Sequence, residues 1–332
     1  MSFPFFSYAG SVLRFLMRAA RYTRVESGGK QFLLNYAREH NGSFSDKLIK
    51  EASKRIAIQQ LFINDTIALL YGRTTNEPEQ HLNRLYFVLS SVYDDLMDEL
   101  GVDLNDLHAM VYHPESFRSN RFYEQALVDT HQQLLEAVRF QDEYKQVVNA
   151  IHRAQMDSLK QKNGGLGFDA LVDIARRKGG GSLLMCRHYI DLPKGEVLDA
   201  CWFELGGVIQ LSNDMFDVYK DHQEGIDTFV SRADSCAAVR KAFEDQVKRL
   251  MQAFALLDAD ESKKRACFMV LSLIPALGYV ALRQVESVCD RDGRLPDLKK
   301  VERKRLITDM EKWGNIRYWL ESSYLLSAQF NR

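Results

Sequence analysis

The chain has 332 residues, of which 46% are hydrophobic and 27% charged, an ordinary globular balance that can bury a sizeable core and still enclose a cavity. A net charge of −1 gives no basic surface for nucleic acid, which is excluded as an expected partner. Six prolines are few for a strand-rich chain with many turns, so helices are favoured.

The first residues, Phe3 to Phe6 and Val12 to Met17, are apolar but interrupted by Arg14 and followed by Arg18, Arg21 and Arg24. No uninterrupted apolar segment precedes a small-residue cleavage site, so no signal peptide is expected. No apolar run approaches ~18 residues, so no transmembrane helix is expected. Residues 1–40 read as an amphipathic helical arm packed on the body, with a membrane-surface role as the alternative. Residues 41–332 read as one domain.

Beyond the arm the pattern is helical. Leu82, Leu85, Leu89, Val92, Leu96 and Leu100 step by three and four residues. Phe122 to Lys160 predicts one long helix or two. Leu198–Tyr219, Val239–Leu257 and Ala266–Val288 repeat the period. Breaks are expected at Asn41-Gly42, His113-Pro114, Asn163 to Gly165, Gly179 to Gly181, Pro193 to Gly195 and Arg291 to Pro296. No alternating strand pattern, internal repeat or linker is found. The expectation is an all-α fold, a single-domain bundle of ten or so helices. Cys186, Cys201, Cys236, Cys267 and Cys289 are dispersed and odd in number, and read as buried free thiols in a reducing, cytoplasmic setting.

Two acidic clusters carry the chemistry. Asp94, Asp95 and Asp98 lie at the C-terminal end of the helix that is expected to begin near His81. Four residues advance a helix ~6 Å and about 40° beyond a full turn, so Asp94 and Asp98 share a face and Asp95 turns away. Two carboxylates so placed can converge on a hard cation such as Mg2+, which commonly bridges carboxylates to phosphates. The plain alternative is a solvated acidic helix end, although acids there oppose the helix dipole.

The second cluster runs from Asn213 to Asp221. Asn213, Asp217 and Asp221 fall at i, i+4 and i+8, one oxygen-rich stripe about 12 Å long. Behind it lie Gln210, Ile209 and Gly206; behind Asp94 lie Ser91, Ser90 and Phe87. Each helix thus carries acids at one end of an uncharged stripe. Two such helices facing each other would make a pocket with a metal-binding mouth and a largely apolar floor. That suits an anionic diphosphate on a hydrocarbon chain, which leaves an allylic cation to be shielded from water beside aromatic faces. Phe87, Tyr93, Trp202 and Phe216 are the aromatic candidates, with ordinary core packing as the alternative for each.

Asp94-Asp95-Leu96-Met97-Asp98 resembles the DDxxD motif of class I terpene synthases and isoprenyl diphosphate synthases. Asn213 to Asp221 resembles the second metal motif of bacterial terpene cyclases, NDxxSxxKE, with Asn213, Asp214 and Lys220 matching, Asp217 in place of Ser or Thr, and Asp221 in place of Glu. The resemblance covers about residues 55 to 325. It implies the class I terpenoid synthase fold and three Mg2+ ions held by Asp94, Asp95, Asp98, Asn213, Asp217 and Asp221. It also implies a pocket lined by Phe87, Ser90, Ser91, Tyr93, Gly206, Ile209 and Gln210.

Smaller features follow from the same resemblance. Arg176-Arg177-Lys178 stands where isoprenyl diphosphate synthases carry a lysine element that touches diphosphate. Gly206-Gly207 stands where family members often break the helix. Arg317-Tyr318 is similar to the Arg-Tyr pair of bacterial cyclases. The diphosphate contacts implied are Arg177, Lys178, Lys220, Arg317 and Tyr318. The upstream position of the cyclase diphosphate sensor is Gly167 rather than Arg, so Arg177 is expected to substitute.

The expected activity is Mg2+-dependent ionisation of one linear prenyl diphosphate, farnesyl or geranylgeranyl, to a terpene hydrocarbon or alcohol with release of pyrophosphate. A homodimer is kept open. Asp217 makes the second motif read partly as NDxxD, which keeps a prenyltransferase as the alternative, either elongating or of the squalene and phytoene synthase kind. Elongating enzymes carry an arginine pair soon after the first motif, whereas Glu99 to Asp106 holds no basic residue. Ser27 to Gln31 resembles their Gly-Gly-Lys-Arg element only in part. A catalytically silent helical protein is the third reading.

Overall fold

A helix is favoured by a capped N-terminus and one apolar face, and the helix over residues 77–98 has both. Asn76 Oδ1 accepts the Glu79 backbone N–H at 3.0 Å, and Glu79 Oε2 accepts that of Asn76 at 2.8 Å, so two end donors are satisfied reciprocally. From there Leu85, Val88, Val92 and Leu96 turn to the interior, each at most 2% exposed. The computed structural model describes residues 8, 10, 12, 13, 15, 17, 27–162 and 164–331. The chain is all-α: among these residues there are fifteen α-helices and no strand. Half of the N-terminal arm, including Phe3 to Phe6 and Arg14, Arg18, Arg21 and Arg24, lies outside the described residues.

The chain packs as two compact units. The first comprises residues 11–149 and 185–193. It contains α1 (Ser27–Glu39), α2 (Asp46–Ile58), a π-helical segment (Gln59–Asn64), α3 (Asp65–Leu70), α4 (Glu77–Asp98), α5 (Leu104–Tyr112), α6 (Phe122–Ala137) and the start of α7 (Gln141–Ser158). Here α2 packs on α1 and α4, and α6 packs on α4 and α5.

The second unit comprises residues 1–10, 150–184 and 194–332. It takes the rest of α7, most of α8 (Phe168–Arg187), α9 (Glu196–Phe216), α10 (Val218–Gln223), α11 (Cys236–Ala255), α12 (Glu261–Leu271), α13 (Leu273–Glu286), α14 (Arg303–Leu306) and α15 (Trp313–Phe330). Its centre is α9, packed against α11 and α13. Trp202, Leu205, Val208, Leu211 and Met215 of α9 are each 0–1% exposed. Burying such side chains contributes roughly 1.5–3 kcal/mol each.

Phe122–Lys160 forms two helices and a short 3-10 turn, the second of the two arrangements expected. Other expectations are corrected. Ala266–Val288 falls in two helices that meet at Ser272. Leu100 lies beyond the end of α4 and is 55% exposed, because Gly101 turns the chain with φ 59°. Gly179 to Gly181 and Gly206-Gly207 break nothing: they sit inside α8 and α9. A Cβ on Gly180 would fall 2.7 Å from the Phe203 ring, and one on Gly207 2.4 Å from Gln246 Nε2. These glycines serve close packing rather than turning.

The cysteine reading holds for three of five. Cys186, Cys201 and Cys267 are buried thiols outside any disulfide, and burial pushes the Cys201 thiol up to about 12. Cys236 and Cys289 instead form a disulfide, joining the start of α11 to the chain just after α13, with Cα atoms 6.6 Å apart. One stretch among the described residues, Glu261–Glu286, is long and apolar enough to cross a membrane by length and composition alone, with mean hydropathy 1.8 in its most apolar window. That window is 67% buried within the protein, as in a core helix.

Candidate functional site

The first acidic cluster ends α4 in the first unit, and α2 lies against it. Lys47, Glu51 and Arg55 recur at i, i+4 and i+8 along α2. Lys47 pairs with Glu99, and Arg55 Nη1 stands 3.9 Å from Asp94 Oδ2. Both pairs are largely exposed, so each is worth little on its own, ~0–1 kcal/mol. Asp95 is held above the usual carboxylate range, first by burial and then by Glu99 and Glu51, against Lys47 and Arg55. Asp98 is exposed. Burial, then Asp94, Tyr112 and Asp98, raises the Tyr93 phenol well above its usual value.

Below Asp94 the α4 stripe turns inward. Phe87 is 8% exposed and meets the Tyr86 ring edge-on, with centroids 5.1 Å apart. Ser90 is half-buried, whereas Ser91 is 6% exposed and its Oγ has no hydrogen-bond partner. The stripe is therefore mostly uncharged, as its residue types predict.

The second cluster spans the junction of α9 and α10 in the second unit. The expected unbroken ladder is interrupted: α9 ends at Phe216, and Asp217 leaves helical geometry with φ −94° and ψ 9°. Two hydrogen bonds carry the chain across the break. The Asp217 N–H donates to Asn213 O, and the Asp221 N–H to Asp217 O, both at 2.8 Å. The i, i+4, i+8 order thus survives around a kink. Asn213 and Asp217 are exposed, and Asp221 is half-buried.

Asp214, not singled out from the sequence as a ligand, is the buried acid of this cluster. It is 8% exposed and accepts Gln210 Nε2 at 2.9 Å. Burial raises its carboxyl to about 6, with Asp217 adding to the rise and Gln210 and Lys178 opposing it. Asp221 is raised to about 7 by burial, then by Asp214 and Asp217, with Lys220 opposing. Acids that resist ionisation for these reasons would be relieved by a nearby cation. Their oxygen donors suit a hard ion such as Mg2+. Among the described residues, no group of three or more His, Cys, Asp or Glu side chains is already positioned to hold a metal.

The basic candidates divide. Lys178 and Lys220 act electrostatically on Asp214 and Asp221 respectively, and neither is ion-paired among the described residues. Arg177 is committed to Asp173 at 2.7 Å and Asp157 at 3.0 Å. Its neighbour Arg176 binds Gln246 at 2.6 Å and Glu204 at 3.3 Å, tying α8 to α9 and α11. Arg317 pairs with Glu321 at 2.7 Å in solvent, while the Tyr318 ring lies under the Arg283 guanidinium at 4.0 Å. Gly206 and Ile209 stand on α9 with Gln210, Gly206 being buried and Ile209 half-buried. Trp202 is wholly buried, and its Nε1 has no hydrogen-bond partner.

Two features near these clusters escaped the sequence reading. The Lys47-Glu51-Arg55 stripe was detectable from its four-residue spacing. The Arg303 guanidinium, 5.6 Å from the centroid of the Tyr219 ring, had no such signal, because the two residues meet only through folding. No family model matches the chain, and no curated protein matches it.

Proposed function

We propose that the chain is a Mg2+-dependent class I terpene synthase that ionises a linear prenyl diphosphate and releases pyrophosphate. The observation that carries this reading is the pair of acid clusters in the order DDxxD then NDxxDxxKD, each at the end of a mostly uncharged helical stripe. The all-α fold is compatible with it. In this reading Asp94, Asp95, Asp98, Asn213, Asp217 and Asp221 hold Mg2+, which when bound supplies charge neutralisation of the diphosphate oxygens. Lys178 and Lys220 add positive charge beside the second cluster. Asp214 keeps Gln210 oriented through their hydrogen bond. The apolar and aromatic stripe residues shield the hydrocarbon from water.

The replacement of Ser or Thr by Asp217 favours a second reading, a prenyltransferase. It would need a place for a second charged head group. Glu99, Asp103 and Asp106 follow the first motif instead and would repel one. The test is product analysis by gas chromatography and mass spectrometry with one prenyl diphosphate at a time. A hydrocarbon or alcohol of unchanged carbon number, lost in chelator and in Asp94→Ala and Asn213→Ala, supports the synthase. Product that forms only with isopentenyl diphosphate, and is five carbons longer, supports elongation. No turnover of either kind leaves the silent helical protein.

A further inference from the structure

The first unit contains a cleft of about 460 Å3 at the opposite end of α4 from Asp94. Leu82, its innermost α4 residue, is about 18 Å along the helix from Asp94. The walls are the start of α4, the turn between α6 and α7, and the chain that leaves α8. Pro78, Leu82, Phe140 and Leu192 make part of it apolar.

Its charged groups are arranged around one ring. The Arg139 and Arg187 guanidinium carbons lie 5.2 and 6.0 Å from the Phe140 centroid. Arg187 is 2% exposed and donates from Nη2 to the Pro193 carbonyl at 2.9 Å, so its position is fixed. Arg139 is 72% exposed and pairs at 3.1 Å with Asp191, itself 74% exposed. Such a pair is worth ~0–1 kcal/mol, so an incoming anion can displace the Asp191 carboxylate.

The remaining acid of the cleft is already neutralised. Arg73 holds Glu79 with two hydrogen bonds of 2.7 and 2.8 Å, and the Asp191 N–H donates to it as well. His188 also lines the cleft. Its Nδ1 is buried without a hydrogen-bond partner. Leaving such a group unsatisfied costs about 1–3 kcal/mol. Burial and Arg187 hold the imidazole neutral, with its pKa lowered to about 4.

We propose that this cleft binds a small amphiphilic anion, a carboxylate or phosphate on a short apolar or aromatic body. Arg139 meets the charged group, Arg187 supplies fixed positive charge behind it, and Phe140 and Leu82 cover the body. The site is separate from the acidic clusters and does not depend on the proposed reaction.

The test is isothermal titration of the full chain with phenyl phosphate, benzoate and inorganic phosphate. Chelator is present throughout, so the proposed Mg2+ sites play no part. Phenyl phosphate or benzoate is expected to bind at least about tenfold more tightly than inorganic phosphate, because the body adds buried apolar area. Whichever of the two binds more tightly identifies the head group. Arg139→Ala is expected to weaken binding by about fivefold or more, through loss of a charge-assisted hydrogen bond. Phe140→Leu should weaken both aromatic probes, and Asp191→Asn should strengthen them by removing the competing carboxylate. Both Arg139 and Asp191 are exposed, so those variants retain the fold. Absence of binding by both aromatic probes at about 10 mM would overturn the proposal, since that corresponds to under ~3 kcal/mol of affinity. So would binding that Arg139→Ala and Phe140→Leu leave unchanged.

Discussion

Gly179 and Gly206 meet backbone to backbone in the second unit. A Cβ on Gly179 would stand 2.3 Å from the Gly206 carbonyl oxygen, and one on Gly206 would stand 2.1 Å from that of Gly179. Neither obstacle is a flexible side chain, so α8 and α9 can lie this close only while both positions are glycine.

Gly206→Ala should therefore destabilise the protein despite the better helix propensity of alanine. Propensity gains about 1 kcal/mol, whereas forcing atoms into a packed interface costs typically 1–3 kcal/mol and occasionally more. Urea denaturation of Gly206→Ala and Gly179→Ala measures the balance. A midpoint equal to or above that of the unsubstituted chain would show that the helices separate without cost.

Pairing ranks the cations proposed to meet diphosphate. Lys178 and Lys220 have no ion pair among the described residues, whereas Arg177 and Arg317 are held by carboxylates. Lys178→Ala and Lys220→Ala should raise the inhibition constant of inorganic pyrophosphate more than Arg177→Ala or Arg317→Ala does, by about tenfold against about twofold or less. The reverse order would mean that both arginines abandon their partners on binding.

The Cys236–Cys289 bridge closes a chain separation of 53 residues. On the chain-entropy account a loop of that length contributes about 4 kcal/mol. Thiol titration of the denatured, unreduced protein should find three thiols, Cys186, Cys201 and Cys267, and five after reduction. Cys289→Ser should lower the denaturant midpoint under oxidising conditions and leave it nearly unchanged in reductant. Five thiols before reduction would remove the bridge from the account.

His131 makes part of the stability pH-dependent. It is 4% exposed on α6, and burial lowers its pKa from 6.5 to about 4, opposed by a hydrogen bond to the Val111 backbone and by Glu115. Above about pH 6.5 the group is neutral in both states and has no effect. Between that pH and 4 the unfolded chain takes up a proton that the folded chain refuses, so stability falls as pH falls. The loss approaches ~1.4 kcal/mol per pH unit and about 3 kcal/mol in all. His131→Gln keeps a donor for Val111 and should flatten this part of the profile. An unchanged slope in equilibrium denaturation between pH 6.5 and 4 would assign it to other groups.

The helices and the residue types of the two acidic stripes were legible in the sequence, because a helix that buries one face must repeat apolar residues at three and four. Leu85, Val92 and Leu96 obey that rule, and they are buried as it requires. Local rules failed where a distant partner decides. Gly179 to Gly181 read as a break because glycine weakens an isolated helix, yet the close approach of α9 makes glycine the residue that fits. Spacing placed Asn213, Asp217 and Asp221 on one side but could not show that α9 ends between them, since a helix end is settled by what packs around it. The burial that lifts Asp214 and Asp221, the Arg55 beside Asp94, the carboxylates on Arg177 and the pairing of Cys236 with Cys289 all join residues brought together by folding. The sequence by itself determined which segments are helical and which oxygen-bearing side chains stand together on them. Tertiary structure alone decided which charges are already compensated, because compensation depends on distance in space and on exclusion of water.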